Sequence, residues 1–330
     1  MKLTDLAILF IIIIIPTSLV LDIRTKNIEA AVYKRIEINK ILETVIEDGV
    51  SSLIEEGGGV KNFSLNKEKA IEEVLTSLYN NFNVLDKSTD AIILQGYISC
   101  IAIIDYDGYY LVSNQEYVNS EGYKEMKLIC GPKKSYSYYE DGYVYSFTLD
   151  NYLKIFDSWD NSLYIDTRDK IVEKLDEEGD SYPDFLSDDE LFDDFRRKKI
   201  IELLQRDINY TINKHNLVAR QFGISYYFSL PVLPEEDWFK TIDDVGMIMF
   251  FQGMPIGVTG EKINSYATGV TRIVKGEKYY ISEEEVEPGV YIKYYHKPGC
   301  TEIEDDSRTF DSKKECAQNG YFPCPVCFPY

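Results

Sequence analysis

The chain has 330 residues, and its 45% hydrophobic content is enough for one large or two ordinary packed domains, which excludes general disorder. Against 35 bases stand 56 acids, a formal net charge of -21. A surface of that sign repels phosphate backbones and excludes nucleic acid as a partner.

From Leu6 to Leu21 sixteen residues carry no charge, among them five consecutive isoleucines, Ile11 to Ile15. With Leu3 and Thr4 the segment is just long enough for about 30 Å of hydrocarbon. The residues that follow, PTSLVLDIRTKN, contain no small-residue cleavage pattern. Residues 1–22 therefore read as an uncleaved transmembrane anchor, engaging the membrane through residues 3–21. The flanking charges at Lys2, Asp22, Arg24 and Lys26 nearly balance. A single N-terminal span before a long tail favours an extracytoplasmic soluble part.

Asp5 is out of place at the mouth of an apolar helix, where an acid is costly unless paired or wet. An acid at the fifth position, a long apolar run, Pro16 inside it and a helical continuation resemble the N-terminus of type IV pilins and their tight-adherence relatives. The resemblance implies self-assembly, with Asp5 neutralising the N-terminal amine of a neighbouring subunit. The chain departs from that family in showing no leader with a peptidase site, in beginning with Met1 rather than Phe, and in having Asp for Glu. The alternative role for Asp5 is an interfacial acid on an ordinary anchor.

Residues 23–60 continue as an amphipathic helical stalk, with Ile28, Val32, Ile38, Leu42, Val45 and Leu53 at helical steps and Gly57, Gly58 and Gly59 as its stop. Anchor and stalk together predict a rod of roughly 75 Å. It suits a pilin or a sensor, and equally a helix packed on its own domain.

Residues 61–290 read as a mixed α+β domain, an antiparallel sheet with packed helices. The 27 tyrosines and 16 phenylalanines favour a large β component. A helix is predicted near Asn66–Asn81. Then AIILQGYISCIAIIDYDGYYLVSN and the tyrosine-rich KSYSYYEDGYVYSFTL predict hairpins turning at Asp107-Gly108 and Asp141-Gly142. The order of these elements, with IIDYDGYYLVS, is similar to membrane-anchored sensors of the Cache and PAS type. The acid-rich stretch Glu173–Asp194 lacks the alternation of a Ca²⁺ loop and reads as a solvated loop and helix start. Ser187 and Glu190 suggest a capping box for the helix that follows. FGISYYFSLPVLP and VGMIMFFQGMPIG predict strands. In the second, Met247, Met249, Phe250, Phe251 and Met254 are either sheet core or a pocket lining. Cys100 and Cys130 are either a disulfide or two buried thiols.

No catalytic residue is assigned. Beside His296 the chain has one histidine, His215, near a predicted helix C-terminus, and no G-x-S-x-G, P-loop or H-E-x-x-H motif.

Residues 291–330 close the chain with YYHKPGCTEIEDDSRTFDSKKECAQNGYFPCPVCFPY. His296-x3-Cys300, a gap of 23 residues and Cys324-x2-Cys327 supply one imidazole and three thiols, the ligand set of a tetrahedral Zn²⁺ site. A cation whose four positions are all held by protein is structural. Cys316 lies off the ligand positions and reads as a buried thiol. With Phe310, Ser312, Ala317, Gly320, Tyr321, Pro323 and Pro329, the pattern resembles the zinc module of Ada-type alkyl-phosphotriester repair proteins. In that family the first Cys of the first pair accepts a methyl group; His296 stands there instead, so the resemblance implies the fold and the zinc but not the transfer. The fold class expected is thus α+β, with an N-terminal helical spine and a small C-terminal zinc module. The function expected is structural or interaction work at a membrane, as a pilin-like subunit with protein partners; the alternative is an anchored ligand-binding sensor.

Overall fold

The computed structural model describes residues 3–55, 64–118, 120–122, 124–179, 182–257, 260–271, 279–287, 290–297, 300–303, 309–310, 316–317 and 319–328, with the backbone alone at 3–9, 55, 124, 284–287 and 290. The fold is α+β. Helix α1 (Leu3–Ser51) is one run of 49 residues with Pro16 inside it. Its two parts meet different surroundings. Phe10, Ile11–Ile15, Leu21, Ile28 and Val32 are exposed, whereas Ile38, Leu42, Val45 and Ile46 are fully buried. The predicted stripe therefore breaks between Ile28 and Ile38, because ten residues at 3.6 per turn leave a rotation of about 80°. Among the described residues no helix is long and apolar enough to cross a membrane; the predicted span begins in residues 3–9, whose side chains lie outside them.

The helix ends at Ser51, earlier than the glycine stop predicted, and Gly57, Gly58 and Gly59 lie outside the described residues. Strands β1 (Ile54–Glu55) and β2 (Ser64–Leu65) pair beyond it. Helix α2 (Lys67–Asn81) starts where predicted because Asn66 Oδ1 accepts the Lys69 N–H at 3.1 Å. The next apolar run is split. Ser88 caps a short helix α3 (Thr89–Gly96), so AIILQG is helical and the strand begins only at Ile98.

Three strands follow in a meander: β3 (Ile98–Asp105), β4 (Gly108–Val118) and β5 (Lys124–Cys130). Asp105 pairs with Gly108, so the turn is Tyr106-Asp107, one residue before the predicted pair. A second meander comprises β6 (Tyr136–Glu140), β7 (Tyr143–Phe147), β8 (Tyr152–Asp157) and β9 (Leu163–Thr167). Its first turn is the predicted Asp141-Gly142, both with positive φ (47° and 90°) as a type I′ turn requires. Helix α4 (Arg168–Glu178) and a 3-10 turn (Asp184–Leu186) lead into α5 (Asp189–Val218). The cap of α5 is Asp188, which accepts from Glu190 and Leu191, while Ser187 bonds back to Asp184. The cap lies one residue later than predicted and, with Leu191 at the third helical position, is a single side-chain cap rather than the capping box.

FGISYYFSLPVLP forms no strand. Its backbone is satisfied by side chains instead: Asn216 both donates to Phe228 O (2.9 Å) and accepts from Phe228 N (2.7 Å), and Gln252 donates to Ser229 O (2.7 Å). Helix α6 (Glu235–Thr241) then precedes the hairpin β10 (Gly246–Ile256) and β11 (Glu261–Val270).

The main sheet has the antiparallel order β11-β10-β3-β4-β5. Alternation along each strand sends neighbours to opposite faces. Tyr109 donates to Asp207 of α5 (3.0 Å), while Tyr110 lies under Lys67 Nζ of α2 (4.6 Å to the ring). Likewise Ser265 bonds Asn39 of α1 (2.6 Å) and Tyr266 bonds Asp237 of α6 (2.5 Å). The sheet is thus a middle layer, with α1 and α2 on one face and α5 and α6 on the other. Met247, Met249, Phe250 and Phe251 are fully buried in it and form core, not a pocket. The register also separates Cys100 from Cys130. Val112 pairs with both Ile101 and Cys130, so Cys130 is two strands, about 9–10 Å, from Ile101, and Cys100 faces the other side. Both thiols are free.

The second sheet, β6-β7-β8-β9, packs an aromatic face on the start of α5, with Phe185 and Phe195 stacked at 4.1 Å beside Tyr145 and Phe147. A last sheet, built from β12 (Tyr279–Glu287), β13 (Val290–His296), β14 (Thr309–Phe310) and β15 (Phe322–Pro323), has the order β14-β12-β13-β15 and its own small core of Tyr279, Ile281, Tyr295, Cys316 and Tyr321.

Candidate metal centre

The four ligand residues read from the sequence come together. One atom from each of His296, Cys300, Cys324 and Cys327 lies within 4.8 Å of the others. The backbone explains how. β15 runs parallel to β13, pairing Tyr294 with Phe322 and Tyr295 with Pro323, so the next residues, His296 and Cys324, emerge side by side. The Cys324 N–H donates to Tyr295 O (3.0 Å) and holds that register. Each pair is closed by its own turn: Cys300 N–H reaches Lys297 O (3.2 Å), and Phe328 N–H reaches Cys324 O (2.9 Å). Cys316 falls outside the cluster and is fully buried in the module's core, whose Tyr321 N–H bonds its carbonyl at 3.0 Å.

The imidazole is oriented. Nε2 of His296 lies 2.7 Å from Ser282 Oγ, and Nδ1 lies 3.4 Å from Cys300 Sγ. With the Nε2 proton donated to Ser282, Nδ1 presents its lone pair to the thiols. A tetrahedral ion with bonds of about 2.0 Å to nitrogen and 2.3 Å to sulfur needs an N···S separation of about 3.5 Å. The observed 3.4 Å fits. Burial holds the His296 pKa below its ordinary value and so favours the neutral ring that a metal needs. Burial also pushes the Cys300 thiol up, to about 11, with the neighbouring thiols of Cys327 and Cys324 adding to it. For Cys324 burial acts the same way, but amides of Cys327 and Val326 outweigh it and bring the thiol below its usual range. Lys297 N–H points at Cys327 Sγ (3.4 Å). Amides aimed at sulfur stabilise thiolate. One imidazole and three thiols suit a borderline or soft divalent cation held in a closed shell.

Ser282 is the site residue that spacing did not show. It sits on β12, before residue 291, where the sequence reading starts the module. The other sequence candidates lie elsewhere. His215 is 2% exposed, sits between Phe222 and Phe228, and shares a hydrogen bond of 2.9 Å between Nε2 and Gly96 O. Burial lowers its pKa to about 4, so it is a neutral core residue rather than a partner of the helix dipole. Asp5 is on the first turns of α1, and its side chain lies outside the described residues. Comparisons with protein-family models, with curated proteins and with solved structures each find no match to this chain.

Proposed function

We propose that this chain is a membrane-anchored, extracytoplasmic structural and interaction protein that assembles as a pilin-like subunit, and that its terminal module holds a structural Zn²⁺. The observation that carries this reading is the division of α1. The part from Ile38 onward is built into the core, while the part bearing Phe10, Ile11–Ile15, Leu21, Ile28 and Val32 is uncovered by the chain itself. The apolar stretch, residues 3–21 of that helix, extends about 28 Å, and contact with the rest of the chain begins at buried Ala31 and at Arg35, which pairs with Glu261. An apolar rod of this length is stable in water only when something else buries it, and a bilayer together with neighbouring helices does so. Asp5 in this reading pairs with the amine of an adjacent subunit.

Zinc is the ion assigned because it prefers N and S donors in a tetrahedron, and four protein ligands leave no position for catalysis. The likeness to the Ada-type module rests on Phe310, Ala317, Gly320, Tyr321, Pro323, Cys324 and Cys327, with His296 in place of the methyl acceptor. One observation favours the sensor reading instead: a groove of about 1030 Å³ between α2 and β5, bounded by Leu75, Tyr79, Lys127 and Cys130.

Fractionation of the tagged full-length protein, protease protection and cross-linking test the proposal. Membrane recovery that needs detergent, digestion from outside the cell, and higher cross-linked species lost in Asp5→Ala are the expected results. Recovery in the soluble fraction removes the anchor. An unchanged cross-linking ladder in Asp5→Ala removes the assembly role.

A further inference from the structure

The tyrosine-rich hairpin and the acidic stretch have no part in the assembly reading, yet the fold brings them together. Between β7, β8, β9 and α4 lies a recess of about 40 Å³ lined by Tyr143, Tyr145, Tyr164 and Tyr182 together with Asp157 and Asp160. Buried Ile155, Leu175 and Leu186 close its inner end, while Asp160 is exposed and Asp157 half-buried, which places the carboxylates on the solvent side. The volume holds a group the size of one or two water molecules. A ring is too large; an –NH₃⁺ with its adjoining methylene fits.

The walls are held in place before anything binds. Tyr164 donates its hydroxyl to Glu178 of α4 (2.8 Å). Each carboxylate has one oxygen fixed by a backbone amide: Asp157 Oδ1 accepts from Trp159 and Asp160 Oδ1 from Ser162, both at 2.7 Å. No lysine or arginine among the described residues pairs with either acid; Lys174 Nζ of α4 lies 4.9 Å from the Tyr164 ring centroid, so one face of that ring already meets a cation. Rings attract cations through their quadrupole, and carboxylates add charge-assisted hydrogen bonds. The neighbouring surface of α4 carries Arg168, paired with Asp169, together with Glu173, Asp176 and Glu177, so the acids outnumber the base around the opening. An anion is repelled here, and a neutral apolar group of the same size gains nothing from the acids.

We propose that this recess binds a primary alkylammonium tip, the group carried by a lysine side chain or a polyamine. The test is an NMR titration of the detergent-solubilised full-length protein with n-butylammonium at physiological salt, with n-butanol as the neutral counterpart. Saturable binding is expected, with upfield movement of the methylene next to nitrogen as the rings shield it. Tyr164→Leu leaves the net charge unchanged and is expected to weaken binding at least tenfold. Asp157→Asn keeps the oxygen that accepts from Trp159 and is expected to do the same; it carries the test should the tyrosine variant fail to fold. Cadaverine and Nα-acetyl-lysine amide separate the two sources, the tighter binder identifying free polyamine or protein side chain. Equal binding of n-butanol, or butylammonium affinity unchanged in Tyr164→Leu and Asp157→Asn, overturns the proposal and leaves only general attraction to an acidic chain.

Discussion

Ser282→Ala is the sharpest probe of the metal centre, because it alters no ligand. In the parent, the serine hydroxyl takes the Nε2 proton of a histidine that is 1% exposed. Its removal leaves a buried N–H without a partner, a cost of about 1–3 kcal/mol, and lets the ring turn away from the thiols. Outer-shell partners of a metal-bound histidine are worth about 10–100-fold in affinity, or about 1.4–2.8 kcal/mol. The two routes agree on a loss of about 2 kcal/mol, roughly 30-fold in Kd. Competition for Zn²⁺ against a chromophoric chelator near neutral pH reads it directly. Ser282→Thr keeps the hydroxyl and is expected to restore most of the affinity, whereas Cys300→Ala removes a ligand and loses more than Ser282→Ala. If Ser282→Ala binds zinc as tightly as the parent while Cys300→Ala does not, the orientation argument is wrong. If the parent itself takes up no zinc, the cage is wrong.

Three further outcomes follow from the fold. The imidazole of His215 titrates near 6.5 when unfolded and at about 4 when folded, so only the unfolded chain gains this proton between those values. Stability should fall by about 3 kcal/mol as pH drops from about 6.5 to about 4, and urea titrations should show that slope removed in His215→Gln, which keeps a donor for Gly96 O. A Cβ at Gly49 would stand 2.4 Å from Val74 Cγ2, at the crossing of α1 and α2. Gly49→Ala should cost about 1–3 kcal/mol in thermal melts, partly regained with Val74→Ala; equal melting temperatures would refute the close approach. Asp188→Ala should cost about 0.5–2 kcal/mol as the cap of α5, and Ser187→Ala less than about 0.5 kcal/mol; the reverse order would return the cap to Ser187.

Features governed by near neighbours were legible in the sequence. The spacing of His296, Cys300, Cys324 and Cys327 marks a cage because two short turns each present two donors. Asn66 marks the start of α2, and Asp141-Gly142 marks a type I′ turn. Local propensity failed where other contacts competed. AIILQG looks like strand, but Ser88 caps it as helix. FGISYYFSLPVLP looks like strand as well, yet the side chains of Asn216 and Gln252 take the place of a pairing partner.

The sequence by itself determined the α+β class, the four His and Cys side chains that cluster, and the apolar character of the first part of α1. Tertiary structure decided which stripe residues of α1 become core: Ile38, Leu42 and Val45 are buried where the helix packs on β10, β11 and α2, whereas Ile28 and Val32 stay exposed. It also placed Ser282 behind His296, through the pairing of β12 with β13, and set Cys100 and Cys130 on opposite faces of one sheet. The physical reason is common to these cases. Strand register joins residues far apart along the chain, and a shift of one residue reverses every side chain on the strand.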